Sequence, residues 1–292
     1  MRLFIISDIH IDFEENSIWL QRLSHQEYTE DALILAGDIT HDPNNLQNML
    51  ADLRRRFARL FFVPGNHDLW LNNGNFNDSL EKLEHVLSLC READITIEPQ
   101  RTGEAGDPSA VWVVPLLSWY AQPHEGEDTL YLHKPGEDAD NRMWADNYYI
   151  RWPFNDVGPS AYFYQNTRNI VEQKYDAPVI SFSHFLPRQD VMFSENRQRD
   201  LERIRKFDRN PPFNFSRVAG STLIEKQIRR LKSVIHVYGH QHINRDRTID
   251  GVRYIAHCLG YPNERSRGQV RGLEQGLKQI WDTTQINAIP GK

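Results

Sequence analysis

The stretch Leu60-Phe61-Phe62-Val63-Pro64-Gly65-Asn66-His67-Asp68 decides how this chain is read. Its apolar run has the length of a buried strand, and Pro64-Gly65 is a turn pair that ends it. An amide, an imidazole and a carboxylate follow at once. The same layout recurs at four other places. Leu3 to Ile6 ends at Ser7-Asp8-Ile9-His10, and Ala32 to Ala36 ends at Gly37-Asp38. Val179 to Phe182 ends at Ser183-His184, and Val234 to Tyr238 ends at Gly239-His240-Gln241-His242. Open α/β sheets place ligands outside the carboxyl ends of their strands, so these five polar tips should share one sheet edge.

Helical patterns alternate with the strands. Leu46 to Phe57 and Ser79 to Ala93 carry apolar residues at three- and four-residue spacing. Thr222 with Glu225 reads as a capping box opening a third helix. Asp250-Gly251, between Arg247-Thr248-Ile249 and Val252-Arg253-Tyr254-Ile255, reads as a two-residue hairpin turn. Two stretches interrupt the alternation: about 118 to 165, rich in Trp, Tyr, Pro and acids, and about 188 to 220, rich in Arg. Strands return after each, so both read as insertions framing a site within a single domain, 1–292.

Composition sets the outer bounds. The 292 residues are 25% charged and 39% hydrophobic, as in an ordinary soluble protein, with a net charge of -6. That balance disfavours duplex nucleic acid as the main partner, because such affinity comes from Lys and Arg on phosphates. A phosphorylated substrate is still allowed, since metal ions bring their own positive charge. Cys90 and Cys258 are the only cysteines, too few for a disulfide framework or a Cys-rich zinc site, and both read as buried thiols. No apolar stretch approaches the ~20 residues that span a bilayer, so the expected location is the cytoplasm, without a membrane partner.

The tips carry the chemistry. Asp8, His10, Asp38, Asn66, His67, Asp68, His184, His240 and His242 form a mixed oxygen and nitrogen donor set suited to borderline metal ions such as Mn, Fe or Zn. Alternation along a strand would point Asp8 and His10 the same way, and likewise His240 and His242. One Asp-x-His or one His-x-His says little, but here five ordered tips each follow an apolar run. They hold five of the twelve histidines.

This order of motifs resembles the calcineurin-like metallophosphoesterase superfamily, from residue 3 to about 258. The resemblance implies a four-layer α/β/β/α sandwich built on two mixed β-sheets. It implies two divalent or trivalent metal ions, one held by Asp8, His10, Asp38 and His242, the other by Asp38, Asn66, His184 and His240, with Asp38 bridging. It implies hydrolysis of a small or medium phosphate mono- or diester by in-line attack of a hydroxide lying between the metals. His67 would stabilise the transition state or protonate the leaving oxygen, with Asp68 orienting its ring. The branch of Ser/Thr protein phosphatases is disfavoured, because Ile39-Thr40-His41-Asp42 and Asp68 stand where that branch has Asp-Arg-Gly and Glu. A nuclease of the same superfamily and a non-catalytic protein-binding scaffold on the same fold are the alternatives.

Substrate contacts are sought in the insertions. Arg188, just past the His184 tip, and Arg217 are candidates for a phosphate. Trp119 and Tyr120, after the apolar run Val111 to Leu117, are candidates for stacking on a nucleotide-like or other phosphorylated small molecule. His41 and His257 are candidates for the outer surroundings of the centre.

Overall fold

The computed structural model describes all residues except Asn73, Ala105, Asn155, Arg209, Glu274, Gln275 and 286–292. The end of the domain expected over 1–292 therefore lies outside the described residues.

Among the described residues ten strands follow one another as β1 (Arg2–Ile6), β2 (Ala32–Leu35), β3 (Arg59–Phe62), β4 (Gln100–Thr102), β5 (Val111–Pro115), β6 (Val179–Phe182), β7 (Ser233–Tyr238), β8 (Arg245–Ile249), β9 (Val252–Ala256) and β10 (Lys278–Asp282). The helices are α1 (Glu14–Gln21), α2 (Pro43–Arg56), α3 (Ser79–Glu92), α4 (Asp146–Tyr149), α5 (Pro159–Asn166), α6 (Arg168–Glu172), α7 (Arg197–Phe207), α8 (Thr222–Leu231) and α9 (Pro262–Ser266). The strands make two sheets, in the orders β10-β1-β2-β3 and β4-β5-β6-β7-β9-β8. Both are mixed. β1, β2 and β3 run parallel with β10 antiparallel to β1, and β5, β6, β7 and β9 run parallel between antiparallel β4 and β8.

The period-two alternation of a strand sorts the core into layers. In the first sheet Leu3, Ile5, Ala32 and Ile34 pack against Val111, Val113, Ile180, Ile235 and Ile255 of the second sheet. Their neighbours Phe4, Ile6, Leu33 and Leu35 turn the other way, onto Leu46, Leu50 and Leu53 of α2 and Val86 and Cys90 of α3. On the far side Val114 and Tyr254 of the second sheet pack with Ile224 and Ile228 of α8. Helix, sheet, sheet and helix thus form the four-layer α/β/β/α sandwich. None of the helices in the described residues is long and apolar enough to cross a membrane.

Side-chain caps open the longer helices, and the expected hairpin turn falls where the sequence puts it. Asp42 and Asp78 cap α2 and α3 by accepting backbone N–H groups of their first turns. Asp250 and Gly251, both at positive φ, turn β8 into β9. The third cap is shifted: Ser221, not Thr222, accepts the N–H of Leu223. Glu225 is no capping-box partner. It accepts hydrogen bonds from Arg229 and Tyr254.

Candidate active site

The parallel strands of each sheet deliver their carboxyl ends to a common edge, where the loops of one sheet lock onto those of the other. The N–H of Asp8 donates to the carbonyl of Gly37 (2.9 Å), and that of His10 to the carbonyl of Asp38 (3.1 Å). Across the sheets, the N–H of Leu259 donates to Ser7 (3.0 Å), and within the edge of the second sheet that of Gly239 donates to His184 (2.9 Å). The backbone amide of His240 donates to the Asp8 carboxylate at 2.9 Å.

The paired candidate ligands do not arise from alternation along a strand. β1 ends at Ile6 and β7 at Tyr238, so Asp8, His10, His240 and His242 all lie beyond them. Asp8, His10, Asp38, His240 and His242 instead occupy left-handed backbone, with φ of 50°, 46°, 58°, 72° and 53°. Non-glycine residues reach such angles at a cost of roughly 1–3 kcal/mol each, which the surrounding loop contacts must offset. The reward is curvature: successive side chains curl inward over the sheet edge. Gly37 and Gly65 let these loops touch. A Cβ on Gly37 (φ +82°) would lie 2.6 Å from both the Gly65 nitrogen and Nδ1 of His184, and one on Gly65 would collide with the Asp38 carboxylate.

Two buried clusters result. Donor atoms of Asp8, His10, Asp38 and His242 all lie within 4.8 Å of one another, and so do those of Asp38, His184 and His240. Asp38 belongs to both. Asn66 joins the second cluster, its Oδ1 3.2 Å from Nε2 of His184. The outer nitrogens of three imidazoles are engaged by acceptors. His242 Nδ1 pairs with Glu264 (2.7 Å), His184 Nδ1 with the carbonyl of Ala36 (2.8 Å), and His240 Nε2 with the carbonyl of Val218 (3.0 Å). This leaves an inner nitrogen of each ring facing the shared space. His10 Nε2 and His242 Nε2 face each other at 3.0 Å. Outer partners that fix the ring tautomer and aim the inner nitrogen are the usual surroundings of metal-binding imidazoles, so these residues fit a pair of cations.

Without metal, the same groups balance charge among themselves. Burial alone would push His242 down, but the charge of Asp8 and the bond to Glu264 carry it up to about 10. Burial likewise opposes the charge of Asp38 at His184, which is raised to about 9. Burial would raise Asp8, yet His242 holds it at about 2. Asp38 is lowered too, its burial outweighed by His184 and His67. Burial keeps His240 neutral, at about 3. His10 is also lowered, by burial and by the neighbouring imidazoles.

His67 stands at the half-buried rim, its backbone N–H donating to Asp38 (2.9 Å). Burial lowers its ring to about 4, so it is neutral at pH 7. Its Nε2 lies 3.3 Å from the Tyr261 hydroxyl. The expectation that Asp68 orients this ring is corrected by the structure. The Asp68 oxygens accept the backbone N–H groups of Asp38, Ile39, Thr40 and Gly65 at 2.8–3.1 Å. A fully buried carboxylate that ties two ligand loops together acts on the backbone, and burial with the nearby Asp38 charge lifts it to about 7.

The four substrate-contact candidates are not brought to the centre. Trp119 and Tyr120 are each 1% exposed, and Trp119 packs on Trp152 and Phe185. Arg188 is bound by Asp190, Glu225 and Asp250. Arg217 is bound by Glu125 and Glu137. Carboxylates thus occupy both guanidiniums. His257 points to the carbonyl of Gly276 near β10, and His41 lies by Asp12 and stacks at 6.4 Å on Trp70.

Sequence reasoning misses Glu264, Tyr261, Asn16 and Asp146. Asn16 is buried and donates to the carbonyls of Ile9 and Gly260, bracing the loop that carries His10. Asp146 accepts from Asn66 (2.9 Å), Trp70 (2.7 Å) and Tyr120 (3.2 Å). None of these residues sits on a strand tip. The only local signal was the Gly260-Tyr261-Pro262 turn and the density of aromatic residues around Asp146.

Comparison with known proteins agrees with this geometry. The family model described as calcineurin-like phosphoesterase matches residues 1–244. A curated relative from Mycobacterium tuberculosis, the acyl-carrier-protein phosphodiesterase PptH, is 27% identical across 94% of this chain and 83% of its own length. A crystal structure of the phosphopantetheinyl hydrolase PptH from the same organism superposes with a TM-score of 0.73 at 23% identity, covering 96% of this chain and 95% of that one.

Proposed function

The chain belongs to the calcineurin-like phosphoesterase family, which makes it a metal-dependent phosphoester hydrolase, and from that premise we propose a two-metal phosphodiesterase acting on a phosphopantetheinyl carrier protein or a similar small organic diester. The observation that carries the two-metal reading is the pair of clusters sharing Asp38. Asp8, His10, Asp38 and His242 would hold one cation, and Asp38, Asn66, His184 and His240 the other. When bound, such a pair supplies Lewis-acid charge to the phosphate and a hydroxide nucleophile at neutral pH.

The remaining steps belong to the chain itself. His67, neutral at pH 7, offers a ring N–H at the rim, where the phosphate or the departing alkoxide oxygen must lie. Tyr261 keeps its hydroxyl against that ring. Asp68 holds the Asp38 and Gly65 loops at a fixed spacing.

Two features support a diester. The rim around His67 is aromatic: Trp70 lies on its ring at 3.7 Å, Tyr149 lies on Trp70 at 5.0 Å, and Tyr261 meets Phe13 at 5.2 Å. Such walls suit an organic arm. Arg188 and Arg217, meanwhile, are spent on carboxylates, whereas a doubly charged monoester gains most from an extra cation. The name of the Mycobacterium tuberculosis relative supports the carrier protein in particular. The two buried, unpaired thiols suit a reducing compartment, and the cytoplasm is part of the proposal.

The test combines metal analysis of protein purified without chelator with three substrates. These are nitrophenyl phosphate, bis(nitrophenyl) phosphate and a phosphopantetheinylated carrier protein followed by mass spectrometry. Two metals per chain, diester preference and conversion of the carrier to its unmodified form are expected. Preference for the monoester with an unchanged carrier would overturn the diester reading.

A further inference from the structure

We propose that Asp146 is a positioning residue for the second metal position, fixing the Asn66 amide so that its oxygen, not its nitrogen, faces the centre. An asparagine amide can turn over, and only one of its two faces can hold a cation. An ionised carboxylate accepts hydrogen bonds and cannot donate them. Oδ1 of Asp146, 2.9 Å from Nδ2 of Asn66, therefore holds the amide nitrogen outward. Oδ1 of Asn66 is left pointing at the second cluster, 3.2 Å from Nε2 of His184.

The same Asp146 oxygen accepts the indole N–H of Trp70 at 2.7 Å. The Trp70 ring lies on His67 at 3.7 Å, so one buried carboxylate also sets the shelf beneath the rim imidazole. Its second oxygen accepts the Tyr120 hydroxyl at 3.2 Å, and Tyr120 lies 3.3 Å from the indole nitrogen of Trp144. Asp146, Tyr120 and Trp144 all come from the aromatic insertion. That insertion is thereby tied to the metal centre through Asn66, rather than through direct contact of Trp119 or Tyr120 with substrate.

The inference rests on the two-metal reading, and the test separates the two. Chelator-stripped wild type, Asp146→Asn and Asp146→Leu are titrated with Mn²⁺ and with Zn²⁺, and thermal unfolding of the stripped forms checks that each is folded. Asp146→Asn keeps an oxygen that can accept from both Asn66 and Trp70, so both metal affinities should stay within about threefold of wild type. Asp146→Leu removes the acceptor, and the second metal should weaken by roughly 10–100-fold, the usual cost of losing an outer partner, while the first is unchanged. The kcat of Asp146→Leu should recover toward wild type as metal is raised, with the KM for substrate little changed. Should the leucine variant fail to fold, Asp146→Ser vacates the same oxygen and leaves room for water. Fewer than two metals on wild type would overturn the two-metal reading. Two metals on wild type and unchanged second-site affinity in the leucine or serine variant would overturn the role of Asp146. An asparagine variant as weak as the leucine one would also overturn it, because charge rather than amide orientation would then be at work.

Discussion

The two halves of the centre share Asp38 but are held in different ways. The first half, Asp8, His10, Asp38 and His242, contains two carboxylates, and Glu264 grips the outer nitrogen of His242 at 2.7 Å. The second half, Asn66, Asp38, His184 and His240, contains one carboxylate and an amide. Its imidazoles lean on the backbone carbonyls of Ala36 and Val218. More negative charge and a carboxylate-backed imidazole favour a cation in the first half. The first half should fill at lower metal concentration and empty last under chelator. The second half depends on segments that are not strand tips: the Asp146 helix and the loop carrying Val218. Its occupancy should therefore respond to changes in the insertions.

Asp38→Asn is the most severe break, because it weakens both halves at once. Turnover should fall by more than the roughly 100-fold that follows loss of an outer partner, and metal analysis should show both ions depleted. If one ion stays bound at full strength, Asp38 is not shared. Next comes His67→Ala, which removes no candidate ligand and keeps the backbone N–H that donates to Asp38. Metal content should be unchanged while kcat drops by ~10²–10⁴-fold. For alkyl esters the loss should exceed that for nitrophenyl esters, whose leaving group needs little help from a proton donor. Equal losses would mean that His67 acts on the phosphate charge alone. Glu264→Gln is milder. It keeps an oxygen but removes the charge behind His242, so affinity in the first half should fall roughly tenfold and the gap between the two binding steps should narrow. A gap that stays as wide would show that Glu264 is not what separates the halves.

The candidate ligands are legible in the sequence because each is announced by what precedes it. An apolar run that stops at a serine, a glycine or a proline-glycine pair marks the strand end, and the polar residue after it has nowhere to go but the sheet edge. The layers are legible for a related reason: alternation sends Leu3 and Ile5 one way and Phe4 and Ile6 the other. What escapes is whatever depends on distant pairing. Asp146 is one acid among several in its insertion, and nothing near it in sequence shows that it meets Asn66, 80 residues earlier. Glu264 sits 22 residues beyond His242 on a short helix with no periodicity of its own. Arg188 and Arg217 read as cations awaiting an anion only while Glu225 and Glu137 cannot be seen to supply one. Asp68 follows His67 directly, which suggests a partner for its ring, but the left-handed turn at Gly37 and Asp38 brings backbone N–H groups to it instead.

The smallest effect concerns the loop that covers the second half, and it can be read by pH. His240 reaches the carbonyl of Val218, one residue after Arg217, and Arg217 is anchored by Glu137 at 2.7 Å. Burial would raise the Glu137 carboxyl, but hydrogen bonds from Arg217, Tyr131 and Asn214 bring it from 4.5 down to about 2. A carboxyl whose folded value is depressed contributes stability above its unfolded value and loses it as pH falls toward the folded one. The ion pair should therefore stabilise metal-free protein fully above pH ~5.5, and progressively less below about 4.5. Comparing Tm for wild type and Glu137→Gln cancels the titration of other groups. The Tm gap should be flat from pH 7 to 5.5 and should close as pH drops below about 4.5. The first half has its own ion pair, His242–Glu264, which this substitution leaves alone, so Glu137→Gln should weaken only the second metal, by a few fold at most. A Tm gap independent of pH down to 3.5 would show that Glu137 holds the loop by shape rather than by charge.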